Sequence, residues 1–270
     1  MSQRRPAARR ATQSRAPWLV APLAAVAVLY VVLPFTALLQ RTPWSELVEL
    51  VGRPVVTDAL RLSITTAIAA TILSLLFGIP LAWTLARTEF PGRSLVRALV
   101  VLPMVLPPVV GGAALLFAFG RRGLLGGPVY DATGFLLPFS TWGVVVANTF
   151  VALPFLVVTV ESGLRASDRR YEDAAATLGA SRWTIFWRIT LPHATPSIIA
   201  GAVLCWARAL GEFGATVTFA GNLQGRTQTM PLAVYLALES DRDAAIALSL
   251  VLIAVSLAVL LPLRDRWLAV

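Results

Sequence analysis

Six apolar stretches, each about the length that crosses a hydrocarbon layer, occupy residues 18–39, 60–86, 95–119, 142–164, 195–219 and 244–263. A spanning helix needs about 20 apolar residues, so these stretches claim roughly 120 positions and leave connections too short for a second soluble domain. A soluble domain carries roughly 25% charged residues, whereas this chain has 14%, with 57% hydrophobic. Lipid is the solvent that such a sequence suits. In hydrocarbon every backbone N–H and C=O must be satisfied by protein, so the expected fold class is an all-α integral membrane protein of about six transmembrane helices.

The stretches differ in what they can face. Residues 95–119 include Pro103, Pro107, Pro108, Gly111 and Gly112, which free backbone groups that only protein neighbours or a wet cavity can satisfy. That span is expected to be surrounded by other helices. Gly78 and Pro80 interrupt the second stretch, and Asn148, Pro154 and Glu161 lie in the fourth, where Asn148 and Glu161 are candidates for interhelical hydrogen bonds. The first stretch is longer than a signal-peptide core and has no clear small-x-small cleavage site, so an uncleaved membrane helix is expected.

All 23 basic residues are Arg. With no Lys there can be no P-loop and no Schiff base, and one His and one Cys provide neither a metal-ligand cluster nor an intrachain disulfide. No cofactor or metal is expected. The net charge of +9 is spread between apolar segments instead of forming one basic face, which argues for the bilayer as partner and against nucleic acid. Counted by alternate sides, 15 of the 23 Arg fall on the side of the two termini and of residues 87–97 and 165–193. The positive-inside rule then makes both termini cytoplasmic, with residues 1–17 an Arg-rich flexible tail and 264–270 a short one.

Between the fourth and fifth stretches the chain reads YEDAAATLGASRWTIFWRITLP over residues 171–192. Residues 172–178 are good helix formers with acids in the first turn, Gly179 can end that helix, and Ser181 can cap a second one through residue 188. The expectation is a compact knob of two short helices. Trp183, Phe186 and Trp187 fall on one flank of the second helix. From these residues alone, a docking surface and a helix lying on lipid headgroups are both open readings.

The same residues resemble the EAA loop of ABC importer permeases, written E-A-A, three residues, Gly, nine residues, I-x-L-P. Here Asp173, Ala174 and Ala175 precede Gly179 at that spacing, and Ile189, Leu191 and Pro192 close the pattern. Asp173 stands where Glu is usual and Glu172 lies one position earlier, so two acids compete for the family's contact. LPMVLPPVVGG at 102–112 and ARALGEFGATVTFAGN at 207–222 look like the molybdate branch, with sulfate and thiosulfate permeases close behind.

The resemblance implies a type I ABC importer transmembrane domain over residues 18–263. It implies a homodimer, two ATPase subunits docked through Glu172, Asp173, Ala174, Ala175, Gly179, Arg182 and Trp183, and an extracytoplasmic oxyanion-binding protein. The cargo would be molybdate, with tungstate, sulfate or thiosulfate as alternatives, and ATP would be hydrolysed on a separate chain. An ATP-independent secondary transporter is the rival; broken helices suit it, but it has no use for the knob.

Arg208 and Glu212 lie within the fifth stretch. Read as one helix from Thr195 to Phe219, the stretch places Arg208 roughly 16–20 Å from either end, near the bilayer midplane, with Glu212 at i+4 on the same face. Two readings are open: an ion pair that only locks packing, or a guanidinium lining the pathway of a doubly charged anion, with Glu212 weakening its grip. Cys205, three residues before Arg208, is expected to pack, and His193 to make a headgroup or backbone contact.

Overall fold

The computed structural model describes residues 20–260; both expected tails, 1–17 and 264–270, lie outside the described residues. Helices are the only regular elements among those described. The chain divides into two units, Met1–Pro43 and Trp44–Val270. Of the first, helix α1 (Val20–Gln40) is described, an apolar helix with Pro34 inside it and no charged residue.

The second unit starts with the short helix α2 (Leu47–Gly52) and the long helix α3 (Pro54–Arg87). Pro54 opens α3 at the position where a missing N–H costs nothing. At 34 residues α3 is about 51 Å long, well beyond the hydrocarbon thickness, so its ends project from any bilayer. One stripe of α3 is small or hydroxylic and buried: Ala59, Ser63, Thr66, Ala67, Ala70, Ser74 and Ala82. Ile68, Ile72, Leu76 and Phe77 face outward. Lipid tails are as apolar as Leu, so helices in lipid associate through close packing of small residues and hydrogen bonds, and the large side chains are left to the lipid.

Residues 95–119, expected as a single span, are two helices: α4 (Arg93–Val105) and α5 (Pro108–Phe119), bent by 119°. Leu106 (ψ 139°) and Pro107 (ψ 130°) are both extended. A residue that precedes proline is pushed out of the α region, and here two in succession are. Helices α6 (Gly126–Thr133) and α7 (Thr141–Ala166) follow, and the Ser140 hydroxyl caps α7 by accepting from the Gly143 N–H at 3.1 Å.

Two short helices, α8 (Arg170–Thr177) and α9 (Arg182–Ile185), form the knob. A π turn, Phe186–Thr190, joins α9 to α10 (Leu191–Leu210) without interruption, so the fifth span runs from Arg182 to Leu210. The expected helix through Phe219 does not form. Residues 211–213 break it, and α11 (Gly214–Phe219) starts afresh, placing Arg208 in the last turn of α10 instead of mid-helix. Helices α12 (Met230–Ser240) and α13 (Arg242–Leu260) complete the described chain. Five helical segments are long and apolar enough to cross a membrane, six if the bent pair is one span.

The packing centre of this unit is α7, held between α3 and α10, with Leu85, Leu156, Val157, Val160 and Cys205 in the contact. A polar seam crosses it: the Asn148 amide donates to Thr66 Oγ1 and its carbonyl accepts from Thr216 Oγ1, both at 3.4 Å. Glu161, also buried on α7, pairs with Arg97 of α4 at 2.6 Å and with Arg165 at 2.9 Å. Both residues thus bridge helices as their sequence positions suggested. At the far end, Asp241 accepts from the Ala244 N–H at the start of α13 and from Arg53 just before α3, each at 3.0 Å. Those bonds hold its carboxyl below the usual carboxylate range, the Ala244 N–H being the larger cause.

Candidate functional site

The first helix of the knob and its turn at Gly179 form as expected, whereas the second helix does not end at residue 188 but continues through the π turn into α10. Glu172 and Asp173 sit in the first turn of α8, where the helix dipole favours anions. Gly179 has φ +83°, a left-handed conformation that a side chain resists, and the Ala180 N–H donates back to Ala175 O at 3.0 Å. Ser181 caps α9 through the Thr184 N–H at 3.1 Å. Trp183 stacks on Phe186 and Trp187 meets both edge-on, with centroids 5.5–6.0 Å apart, and Trp83 of α3 lies edge-on to Phe186 at 5.6 Å. Phe186 therefore seats the cluster on the spans, while Trp183 and Trp187 remain 70% and 51% exposed. His193 bonds to Ile189 O at 2.7 Å and stacks on Tyr171.

The two acids face opposite ways. Asp173, Ala174, Gly179, Arg182 and Trp183 are exposed and Ala175 is half-buried. Glu172 instead turns inward, its Oε1 2.9 Å from Arg87 Nη2 and accepting from Thr190 Oγ1 at 3.2 Å. Sequence reasoning missed Arg87, counting it only for orientation, because nothing local links residues 85 apart. The end of α3 gathers other arginines as well. Leu85 O, left without a helical partner, accepts from Arg93 and Arg97, and Ala86 O accepts from Arg169 at 3.0 Å. Cations at the carbonyl end of a long helix complement its dipole.

At the break after α10, Glu212 is only 1% exposed. Its Oε1 accepts from the Ala215 N–H at 2.7 Å, so the side chain caps α11, and its Oε2 lies 2.6 Å from Arg208 Nη2. The Arg208 side chain is 27% exposed and keeps access to the surface. The expected pair is present, but it closes a helix end instead of stapling a continuous helix. The break meets the bend of the third stretch: a Cβ on Gly214 would lie 2.8 Å from Pro108 Cβ, and one on Gly112 would lie 2.7 Å from Thr218 Cβ and 2.8 Å from Ala215 O. Gly112 of α5 and Gly214 of α11, the latter against Pro108, are thus what let the two helices lie together. Cys205 is fully buried, as a packing residue should be. Beside the break, Phe213, Pro231, Val234, Tyr235, Leu238 and Ile253 line a groove of about 350 Å³ with almost no polar surface, unsuited to a dianion.

This all-α arrangement of spans has the fold of the type I ABC importer membrane domain, a likeness that rests on solved transporters and on a family model. A bacterial alginate ABC transporter, solved in complex with an alginate pentasaccharide-bound periplasmic protein, matches with a TM-score of 0.70 at 20% identity over 90% of this chain and 92% of that chain. A second structure, of a bacterial ABC transporter involved in alginate import, gives 0.69 at 18% identity over 92% and 95%. At those identities the likeness is one of fold.

A family model described as binding-protein-dependent transport system inner membrane component matches residues 76–269, and the chain belongs to that family of multi-pass membrane permeases. The molybdenum transport system permease protein ModB of Mycobacterium bovis is 48% identical over 249 residues, 92% of this chain and 94% of the relative. Its Escherichia coli counterpart is 44% identical over 212 residues, 78% and 93%. The sulfate transport system permease protein CysT of Escherichia coli is 38% identical over 237 residues, 86% and 85%.

Proposed function

We propose that this chain is the membrane-spanning subunit of an ATP-driven importer that passes molybdate into the cytoplasm. The observation that carries the reading is the 44–48% identity to molybdenum permeases over most of both chains, against 38% to a sulfate permease. Sulfate is the second reading, since a tetrahedral dianion of either kind makes the same demands on a guanidinium. Two copies of the chain form the pathway, an extracytoplasmic binding protein delivers the anion, and two ATPase subunits dock on the knob. The exposed Asp173, Ala174, Arg182 and Trp183 form the docking face.

Arg208 is the pathway residue in this reading. Its partly exposed guanidinium offers donors to the anion, while Glu212, held by the α11 cap, keeps the local potential low enough for release. Uptake into vesicles holding this chain with and without its ATPase, with molybdate, tungstate and sulfate in competition, tests the whole reading. Uptake that does not need the ATPase would overturn it.

Two outcomes follow for orientation and docking. With Cys205 replaced, single cysteines at Ser167 and Gln224 should react differently with an impermeant thiol reagent applied outside: only position 224 labels. Outside labelling of position 167 in intact cells would reverse the topology. Gly179→Val forces a β-branched residue to φ +83° and should yield a folded permease that no longer retains its ATPase during purification. Normal retention with full transport would mean that the knob does not dock.

A further inference from the structure

We infer that the part-buried Arg87–Glu172 ion pair is a latch that carries motion of the knob into the spans, and that Glu172 serves this latch while Asp173 is left for the partner. The inference rests on the knob being the ATPase-docking surface. Adjacent residues on a helix point about 100° apart, so one acid of α8 can turn in to the spans while its neighbour faces out. The structure directs Glu172 to Arg87 and leaves Asp173 exposed, with no ion pair among the described residues.

Three elements meet at this one carboxylate. Arg87 ends α3, and its Nη2 also donates to Ser167 Oγ at 2.7 Å, at the end of α7. Glu172 belongs to α8, and Thr190, which donates to it, is the last residue of the π turn that runs unbroken into α10. The Arg87 and Glu172 side chains are 6% and 19% exposed, and breaking a buried pair by losing one partner is strongly unfavourable. When the knob is displaced, the contact therefore moves as a unit and takes the ends of α3 and α10 with it. From Arg182 the helix reaches Arg208 after 26 residues, roughly 39 Å, with the π turn near its start. Insertions of this kind are frequent at functional sites.

The test uses the full transporter, with its ATPase subunits and binding protein, in vesicles loaded with ATP. Arg87→Met with Glu172→Gln removes both charges, leaving neither one unpaired. The expected result is normal retention of the ATPase and ATP hydrolysis near the wild-type rate, with molybdate uptake per ATP down about tenfold, within the usual span of coupling between sites. Arg87→Lys, which keeps a cation at the carbonyl end of α3 opposite Glu172, should hold most of that ratio, whereas a role in packing alone would let it fall with the loss of the guanidinium shape. An unchanged uptake per ATP in the double variant overturns the latch. So does Glu172→Gln losing the ATPase while Asp173→Asn keeps it, since Glu172 would then be the docking acid. If the double variant is not recovered folded, Thr190→Val, which removes the donor to Glu172 and leaves both charges in place, decides by the same ratio: an unchanged ratio overturns the latch. Failure of the docking premise is separately visible: Asp173→Asn and Gly179→Val would both retain the ATPase, and the latch would fall with its premise.

Discussion

Arg208→Met combined with Glu212→Gln is expected to produce a folded permease that no longer passes the anion. The single changes should be unequal. Removing Arg208 strands a carboxylate that is 1% exposed, a cost of about 3–5 kcal/mol, whereas removing the charge of Glu212 leaves a guanidinium with a route to the surface and costs less. Glutamine at 212 keeps the oxygen that accepts from the Ala215 N–H, so the cap on α11, about 1 kcal/mol, survives in the double variant. Detergent-stable protein and ATP-dependent uptake measured on one preparation then separate the two readings of the pair. If the pair only locks packing, both recover. If Arg208 lines the pathway, folding recovers without flux, and uptake near the wild-type level would remove Arg208 from the mechanism.

Gly112→Leu should be among the most destabilising single changes that leave every charge in place. The new Cβ meets Thr218 Cβ at 2.7 Å, Ala215 O at 2.8 Å and Ala215 Cα at 3.0 Å, and two of these three atoms are backbone. Side chains can yield by changing rotamer, but here α11 itself would have to move, dragging the Glu212 cap and its pair with Arg208. Overpacking costs about 1–3 kcal/mol, and a rigid backbone neighbour places this change at the upper end. At that cost the thermal midpoint of the purified permease falls by roughly 6–12 °C. Gly52→Ala is the control, since a Cβ there meets nothing within 4 Å, and its midpoint should stay at the wild-type value. Equal midpoints for the two variants would contradict the close approach of α5 and α11.

The knob was legible because its determinants are local. A first turn of acids, a glycine at the left-handed position and a serine cap each act within four residues, and they recur here at φ +83° and in the Ser181 to Thr184 contact. Membrane spans are legible for the same reason, each being an apolar run of a length set by the bilayer. The 119° bend was visible only as trouble: Pro107 and Pro108 announce freed backbone groups but carry no direction. At the fifth span the i+4 pair forms as expected, but on a helix that ends at Leu210. The i+4 spacing of Arg208 and Glu212 suits an intact helix, yet the same carboxylate also suits a helix cap, and α5 lying against α11 goes with the cap.

The sequence by itself therefore determined that this is a multi-span helical membrane protein, that a two-helix knob leads into its fifth span, and that one charged pair lies in apolar surroundings. These follow from hydrophobic length, local backbone chemistry and the cost of burying charge. Only the tertiary structure decided where the third and fifth spans break, that Arg93, Arg97 and Arg169 close the end of α3, and that Glu172 turns in to Arg87 while Asp173 faces out. Each of those choices depends on a partner far away along the chain, and a side chain with two locally acceptable roles takes the one for which folding supplies that partner.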